Sequence, residues 1–355
     1  MKKKILLFNL LIIIGLLSCQ KENISTSTNA TDAFFVENQG HSMKVQVKGN
    51  TASKIIVLVV HGGPGQGSDA YQAMPEFQDI LEKKYGVAYW EQRLVDVAHG
   101  NKEGDITLKT YGNDLKAVVL TLKKRYGQDT KVFIMGHSWG GQVTTQFMTD
   151  GNNQNLVQGW IFVDAVYDWD QSDKDCVTFI NQVADEQIAL KKNVEKWKTV
   201  KSKANSYDLS AAYSDTSYAK FQGNLFDAGL ILYEEDYGKI DLPTGTPSTA
   251  LSHIKYYLTA DFYGTYFAVK SNYSSRLIID ARKQKLGLKI PSITKPVLVV
   301  TGKKDTFVPP IHAKRFYDLL PLGKKKYIEL PKSYHFFEEQ ELFVNSMVSF
   351  VEQYK

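Results

Sequence analysis

Apolar residues gather along this chain in short unbroken runs, separated by longer stretches where they recur every three or four positions. Residues 55–60 (IIVLVV), 132–135 (VFIM), 160–163 (WIFV) and 297–301 (VLVVT) are runs of the first kind, rich in β-branched and aromatic side chains. Strands buried on both faces have this pattern, because neither side meets water. Residues 71–85 and 108–126 show helical spacing and stop at Gly86 and Gly127, where a glycine commonly closes a helix. Later, 311–320 and 336–354 predict helices and 326–330 a strand. Earlier, 33–37 and 43–47 predict a strand pair turning at 38–40, and 87–90 a short strand. Strand and helix in alternation predict an α/β fold, a mostly parallel sheet covered by helices on both faces.

The alternation stops after residue 165 and resumes near 291. In between, residues 185–198 have helical spacing, aromatic residues thicken in SHIKYYLTADFYGTYFAV, and no buried-strand run occurs. The pattern predicts a core built from 33–165 and 291–355, with a mainly helical cap over 166–290. An insertion just past a strand's carboxyl end sits where open α/β sheets bind ligands, which favours a cap over a decorative layer.

The first residues follow another logic. Lys2, Lys3 and Lys4 precede an almost unbroken apolar run over 5–17, too short to span a bilayer comfortably but suited to a signal peptide. The run ends in LLSC, similar to a bacterial lipobox, so 1–18 is expected to be a lipoprotein signal peptide and Cys19 the lipidated first residue. Residues 19–32 are polar and rich in Ser, Thr and Asn, the composition of a flexible tether. Gln20, Lys21 and Glu22 resemble the charged signal that follows the cysteine in surface lipoproteins of Bacteroidetes. The expected location is therefore the bacterial cell envelope, anchored by lipid, with the outer membrane favoured. Cys176 is the only other cysteine, so no disulfide framework is expected.

Composition adds little to this picture. With 43% hydrophobic and 23% charged residues, the chain is that of a globular protein of 355 residues. Its formal charge of +5 falls to +2 once Lys2, Lys3 and Lys4 are set aside, too weak to argue for nucleic acid.

The chemistry is carried by KVFIMGHSWGGQVTTQFMTD, residues 131–150. A strand runs into Gly136-His137-Ser138-Trp139-Gly140, and a helix follows. A sharp strand-to-helix turn needs residues without bulk two positions either side of its apex, which Gly136 and Gly140 supply. The turn exposes the Ser138 hydroxyl at a helix N-terminus, as in a G-x-S-x-G nucleophile elbow. A serine needs a base, and the base an acid, in the order Ser, Asp, His. Asp305 follows the strand 297–301, and His335 lies between the last strand and the last helix. Asp164 also follows a strand and is the competing acid; His137 is expected to face away from the site. The oxyanion donors are expected at the Trp139 backbone and at Gly63, in the HGGPG loop (61–65) after the early buried strand.

HGGPG and GHSWGG, with Asp305, His335 and a helical cap, resemble the proline iminopeptidase family of α/β-hydrolase serine aminopeptidases over residues 33–355. The resemblance implies the α/β-hydrolase fold, a Ser138–His335–Asp305 triad, and release of an N-terminal residue, often proline, from short peptides or amino-acid amides. One stretch departs from it. Where the family has D-Q-R-G-x-G-x-S, this chain reads EQRLVDVA, keeping Gln92 and Arg93 but placing Glu91 for the Asp and losing the glycines. The family also holds the substrate's free amine with cap carboxylates, for which Glu186, Glu195, Glu234 and Glu235 are available, Glu234 and Glu235 foremost. The same machinery would serve a carboxylesterase, the cap alone choosing the substrate. A surface-binding lipoprotein that reuses the fold without catalysis is the third alternative. No H-E-x-x-H or similar metal spacing occurs, so no metal or cofactor is expected.

Overall fold

The computed structural model describes residues 31–93, 106–238, 271–321 and 323–355. The expected signal peptide, Cys19, most of the tether and the aromatic stretch at 252–269 lie outside the described residues. So does most of the stretch that departs from the family motif.

Eight strands form one sheet: β1 (Asp32–Asn38), β2 (His41–Gly49), β3 (Ile55–Val60), β4 (Gly86–Trp90), β5 (Lys131–His137), β6 (Gly159–Val163), β7 (Val297–Gly302) and β8 (Lys325–Leu330). Their spatial order is β1-β2-β4-β3-β5-β6-β7-β8. β1 and β2 pair antiparallel, as do β2 and β4, and all later neighbours are parallel.

Alternate residues of the central strands feed two separate cores, as a period of two requires. Ile56, Leu58, Ile134 and Phe162 face α1 (Leu108–Tyr126) and α2 (Trp139–Thr149). Val57, Val59, Phe133 and Ile161 face the opposite layer, where Phe77 and Leu81 pack with Phe343 and Met347. The strands are therefore apolar at every position, and the continuous runs of the sequence are explained.

Between β6 and β7 the described chain forms α3 (Trp169–Ala189), α4 (Val194–Asn205), α5 (Asp215–Tyr237) and α6 (Ser271–Lys283). After β7 comes α7 (Pro310–Leu319), and after β8 comes α8 (Gln340–Tyr354). Arg282 ties α6 to α3 through Asp170 at 2.7 Å and Asp173 at 2.6 Å. Asp175 of α3 is held by His312 at 3.0 Å and Arg315 at 2.8 Å, which joins the inserted helices to α7 of the core. Among the described residues every element and every buried apolar side chain lies at or beyond Asp32, so a chain starting at Thr31 contains the whole described fold.

Three expected helices change shape. The one over 71–85 is broken into Asp69–Gln72, Phe77–Leu81 and Glu82–Lys84. Pro75 stands at the break, where its ring removes a donor and clashes with the preceding turn. The span 185–198 crosses a turn between α3 and α4, with Lys191 and Asn193 both at positive φ. The final helix begins at Gln340 rather than 336, because Ser333 and Glu339 bond to each other and hold residues 333–339 as a loop.

Parallel strands give the sheet two unlike edges. His61, Glu91, Ser138, Asp164 and Lys303 leave from its carboxyl edge, and Lys54 and Lys131 enter at its amino edge. All of the expected chemistry lies at the first.

Candidate active site

Ser138 sits between β5 and α2 with φ 53° and ψ −121°, a backbone conformation that L-residues rarely adopt. The surroundings fix it there. Its N–H points to the carbonyls of Val163 and Asp164, and its carbonyl accepts from Gly141 and Val166. A side chain at Gly136 would strike Thr144, and one at Gly140 would strike the Val60 backbone. The flanking glycines are thus required by close approach, as the motif implied.

The three residues expected to form a triad come together. His335 Nε2 lies 3.1 Å from Ser138 Oγ, and His335 Nδ1 lies 2.8 Å from Asp305 Oδ2. The other Asp305 oxygen accepts the backbone N–H groups of Phe307 at 2.8 Å and Val308 at 3.0 Å. Burial lowers the His335 pKa to about 3, so the resting ring is neutral. With Nδ1–H donated to Asp305, Nε2 is left as an acceptor toward the serine hydroxyl.

Asp164 is buried beside Asp305 and makes a different set of contacts. One of its oxygens accepts the Gly302 N–H at 2.8 Å, and the other has no cation or backbone donor. Burial first, then the charge of Asp305, push its pKa well up. Burial pushes the Asp305 pKa up as well, but the Val308 and Phe307 N–H groups and the Asp164 side chain pull against it, so the negative charge of this acid pair belongs on Asp305 and the proton on Asp164.

The HGGPG loop reaches the serine through Gly62, where an added Cβ would come within 3.2 Å of the Ser138 Cβ. Gly63 follows at φ 135°, a value only glycine adopts readily. His61 holds this loop. Its Nδ1–H donates to the Gly62 carbonyl at 2.7 Å, and its Nε2 accepts the Gln92 N–H at 3.2 Å. Burial lowers its pKa to about 4, consistent with a neutral ring doing both.

Three supporting residues were not assigned roles from the sequence. Gln92 donates to the His61 carbonyl at 2.8 Å and accepts the Trp139 indole N–H at 3.0 Å, so one amide joins the HGGPG loop to the elbow. His137 does not face away from the site. Its Nε2–H donates to the His335 carbonyl at 3.0 Å, and its Nδ1 accepts the Tyr71 hydroxyl at 2.5 Å. Burial depresses this ring strongly as well, which keeps it neutral. Retention of Gln92 from the family stretch was the only sequence signal for any of these; nothing marked Tyr71.

Glu91 and Arg93 have structural partners too. Glu91 accepts the N–H and hydroxyl of Ser68, fixing the chain just after HGGPG. Arg93 forms a buried two-pronged pair with Asp114 at 2.5 and 2.6 Å, and Asn38 donates to the same carboxylate at 2.7 Å.

Three of the candidate cap carboxylates have partners within the cap. Glu234 is paired with Lys196 at 2.8 Å. Glu235 accepts from Asn193 and from the Trp197 indole, each at 2.9 Å. Both are engaged inside the cap with α4 and with Asn193 just before it. Glu195 is bound to Lys198 within its own helix. The same α5 nevertheless touches the site's loops. Thr306 donates to the Leu225 carbonyl at 2.8 Å, and Tyr334, next to His335, donates to Asp236 at 2.7 Å.

A mostly parallel sheet with a serine at a strained strand-to-helix turn, followed by an aspartate and a histidine at later strand ends, defines the class. The chain belongs to the alpha/beta hydrolase fold family, whose sequence model matches residues 55–341. It is similar to the probable aminopeptidase YbaC of Bacillus subtilis (strain 168), 20% identical over 312 residues, covering 85% of this chain and 91% of that protein. Among solved structures it is similar to an esterase, EaEST, from Exiguobacterium antarcticum, with 17% identity and a TM-score of 0.58, covering 90% of this chain and all (100%) of that one. The esterase RhEst1 from Rhodococcus sp. ECU1013 gives 19% identity and a TM-score of 0.52, covering 93% of this chain and 100% of that one. At such identities the structures bear on the fold alone.

Proposed function

We propose that this protein is a serine hydrolase that releases an N-terminal residue from short peptides or amino-acid amides. Ser138 attacks the carbonyl carbon while His335 takes its proton, and Asp305 stabilises the imidazolium that results. The backbone N–H groups of Gly63 and Trp139 receive the oxyanion. His335 then returns its proton to the leaving amine, and water repeats the sequence on the acyl-enzyme. The observation that carries this is the hydrogen-bonded line from Ser138 through His335 to Asp305, at 3.1 and 2.8 Å. The aminopeptidase choice within the class draws on the HGGPG and GHSWGG motifs and on the YbaC likeness. Lipidation at Cys19 would hold the enzyme at a membrane of the cell envelope.

A carboxylesterase is the second reading, and one observation favours it. Glu234 and Glu235 are satisfied within the cap and do not stand ready for a substrate ammonium group. The two readings separate on one comparison, an aminoacyl-anilide with its amine free or acetylated. An aminopeptidase that buries the amine should lose at least about a hundredfold in kcat/KM on acetylation, since a buried charge partner is left unmatched. Equal rates on both forms would remove the aminopeptidase and leave the esterase.

A further inference from the structure

The amino edge of the sheet carries an excess of lysines, and Asp129, the carboxylate that acts on Lys123 there, is already paired with Lys54 at 3.4 Å. Lys131 opens β5, Lys295 and Lys324 lie just before β7 and β8, and Lys123 and Lys124 occupy the last turn of α1. Among the described residues none of these five forms an ion pair; Lys123 reaches only the Thr130 carbonyl, at 2.9 Å. Lys123 and Lys295 repel each other enough to lower the Lys123 pKa, second to the effect of burial. The cap is built otherwise. Each lysine of α4 meets a carboxylate, at distances no longer than 3.3 Å.

The same edge is where the chain enters the fold. β1 runs antiparallel to β2 and β2 to β4, so Asp32 stands opposite Val47, two residues from Gly49, whose partner Gly86 starts β4. Arg125 and Tyr126, next in line after Lys123 and Lys124, fasten Asp32 at 2.5–2.7 Å. Asp32 therefore stands next to the end of α1 that carries Lys123 and Lys124, on the same edge of the sheet as Lys131, Lys295 and Lys324. Ser138, Asp305 and His335 belong to the opposite, carboxyl edge.

We propose that this lysine edge is a docking surface for the anionic phosphate headgroups of a lipid bilayer, and that docking turns the Ser138 edge away from the membrane. The proposal builds on the anchor read at Cys19. Twelve residues separate Cys19 from Asp32, and a chain of that length reaches at most about 45 Å. An anchored protein thus stays within about 45 Å of the membrane and meets the headgroups repeatedly with this edge.

The test uses the fragment from Thr31 to Lys355, which holds the whole described fold and lacks Cys19, so failure of the lipidation reading cannot affect its outcome. The fragment is sedimented with vesicles of phosphatidylcholine, with and without about one-third phosphatidylglycerol. Binding should require the anionic lipid at ~0.05 M salt and vanish near ~0.5 M, as screening shortens the reach of each charge. Each lysine near an anionic surface strengthens binding about fivefold. The triple variant Lys124→Glu, Lys131→Glu, Lys324→Glu should therefore bind at least about a hundredfold more weakly, with an unchanged melting temperature. Equal binding to neutral vesicles, an unaffected triple variant, or tighter binding to duplex DNA than to the vesicles at matched salt would each overturn the proposal.

Discussion

Two buried aspartates lie side by side at the site, and replacing each by asparagine should have opposite consequences. In Asp305→Asn the amide can still accept the Phe307 and Val308 N–H groups through its oxygen. Its NH2 group then faces His335 Nδ1, at the 2.8 Å contact now made by the carboxylate. A donor opposite a donor forces the proton of the ring to Nε2, where it blocks transfer from Ser138. The imidazolium also loses its counter-charge. The two effects together are worth about four orders of magnitude in kcat, or ~5 kcal/mol of barrier. Asp164→Asn preserves the bond from the Gly302 N–H and replaces a carboxyl that burial already keeps neutral, so the loss should stay under about tenfold.

The stability of the Asp164 variant adds a second readout. A carboxyl whose folded pKa is raised stabilises the fold fully only below its ordinary value near 4, and that contribution is lost as pH rises toward the folded value. Asparagine has no such dependence. Asp164→Asn should accordingly gain in melting temperature over wild type as pH increases from about 4 to neutrality. The measurements are kcat/KM on an aminoacyl-anilide and thermal melts across that range. Greater damage from Asp164→Asn than from Asp305→Asn would move the acid to the end of β6 and refute the assignment.

Other changes test the remaining parts. Ser138→Ala should cost at least about 10⁴-fold in kcat with an unchanged melting temperature, because it removes one oxygen and little volume. The base must be neutral to work, so kcat/KM falls as pH drops through the pKa of His335; burial lowers that pKa, so the acid limb of the profile should lie below the ordinary imidazole range. Tyr71→Phe deletes the donor that fixes the His137 tautomer and with it a support of the His335 backbone; kcat should fall about tenfold with KM nearly constant, as for a loss of positioning. Cys19→Ser should abolish incorporation of a labelled fatty acid in cells, since lipidation requires the thiol.

Much of this molecule could be read from residue order because its central strands are buried on both faces. Continuous apolar runs have no other economical explanation in a chain of this composition, and they located β3, β5, β6 and β7 within a residue or so. The elbow and the HGGPG loop were legible for a related reason: close backbone approach admits only glycine at Gly136, Gly140 and Gly63, so the geometry is written in residue types. Helix ends were less legible. Pro75 was visible but its effect on 71–85 was not drawn, and the reciprocal bonds of Ser333 and Glu339 leave no periodic trace. The Tyr71–His137–His335 chain was invisible because its members lie far apart in sequence and each looks ordinary alone.

The carboxylates of the cap show where residue type stops being informative. Glu234 and Glu235 carry the charge an ammonium group would need, yet α4 presents Lys196, Asn193 and Trp197 to them first. A charged side chain opposite a fixed cation in the same cap gains its partner without waiting for substrate, and detaching it would leave a lysine unmatched. The catalytic loops face the reverse situation. They must be held before substrate arrives, and buried bonds from Gln92, His61 and His137 hold them. The catalytic loops of this protein are therefore held by contacts within the core, and the cap meets the loops of Asp305 and His335 through α5. Lys304, Thr306 and Tyr334 are points at which α5 meets those two loops. These α5 contacts, rather than any single cap carboxylate, join the described cap to the loops that carry the acid and the base.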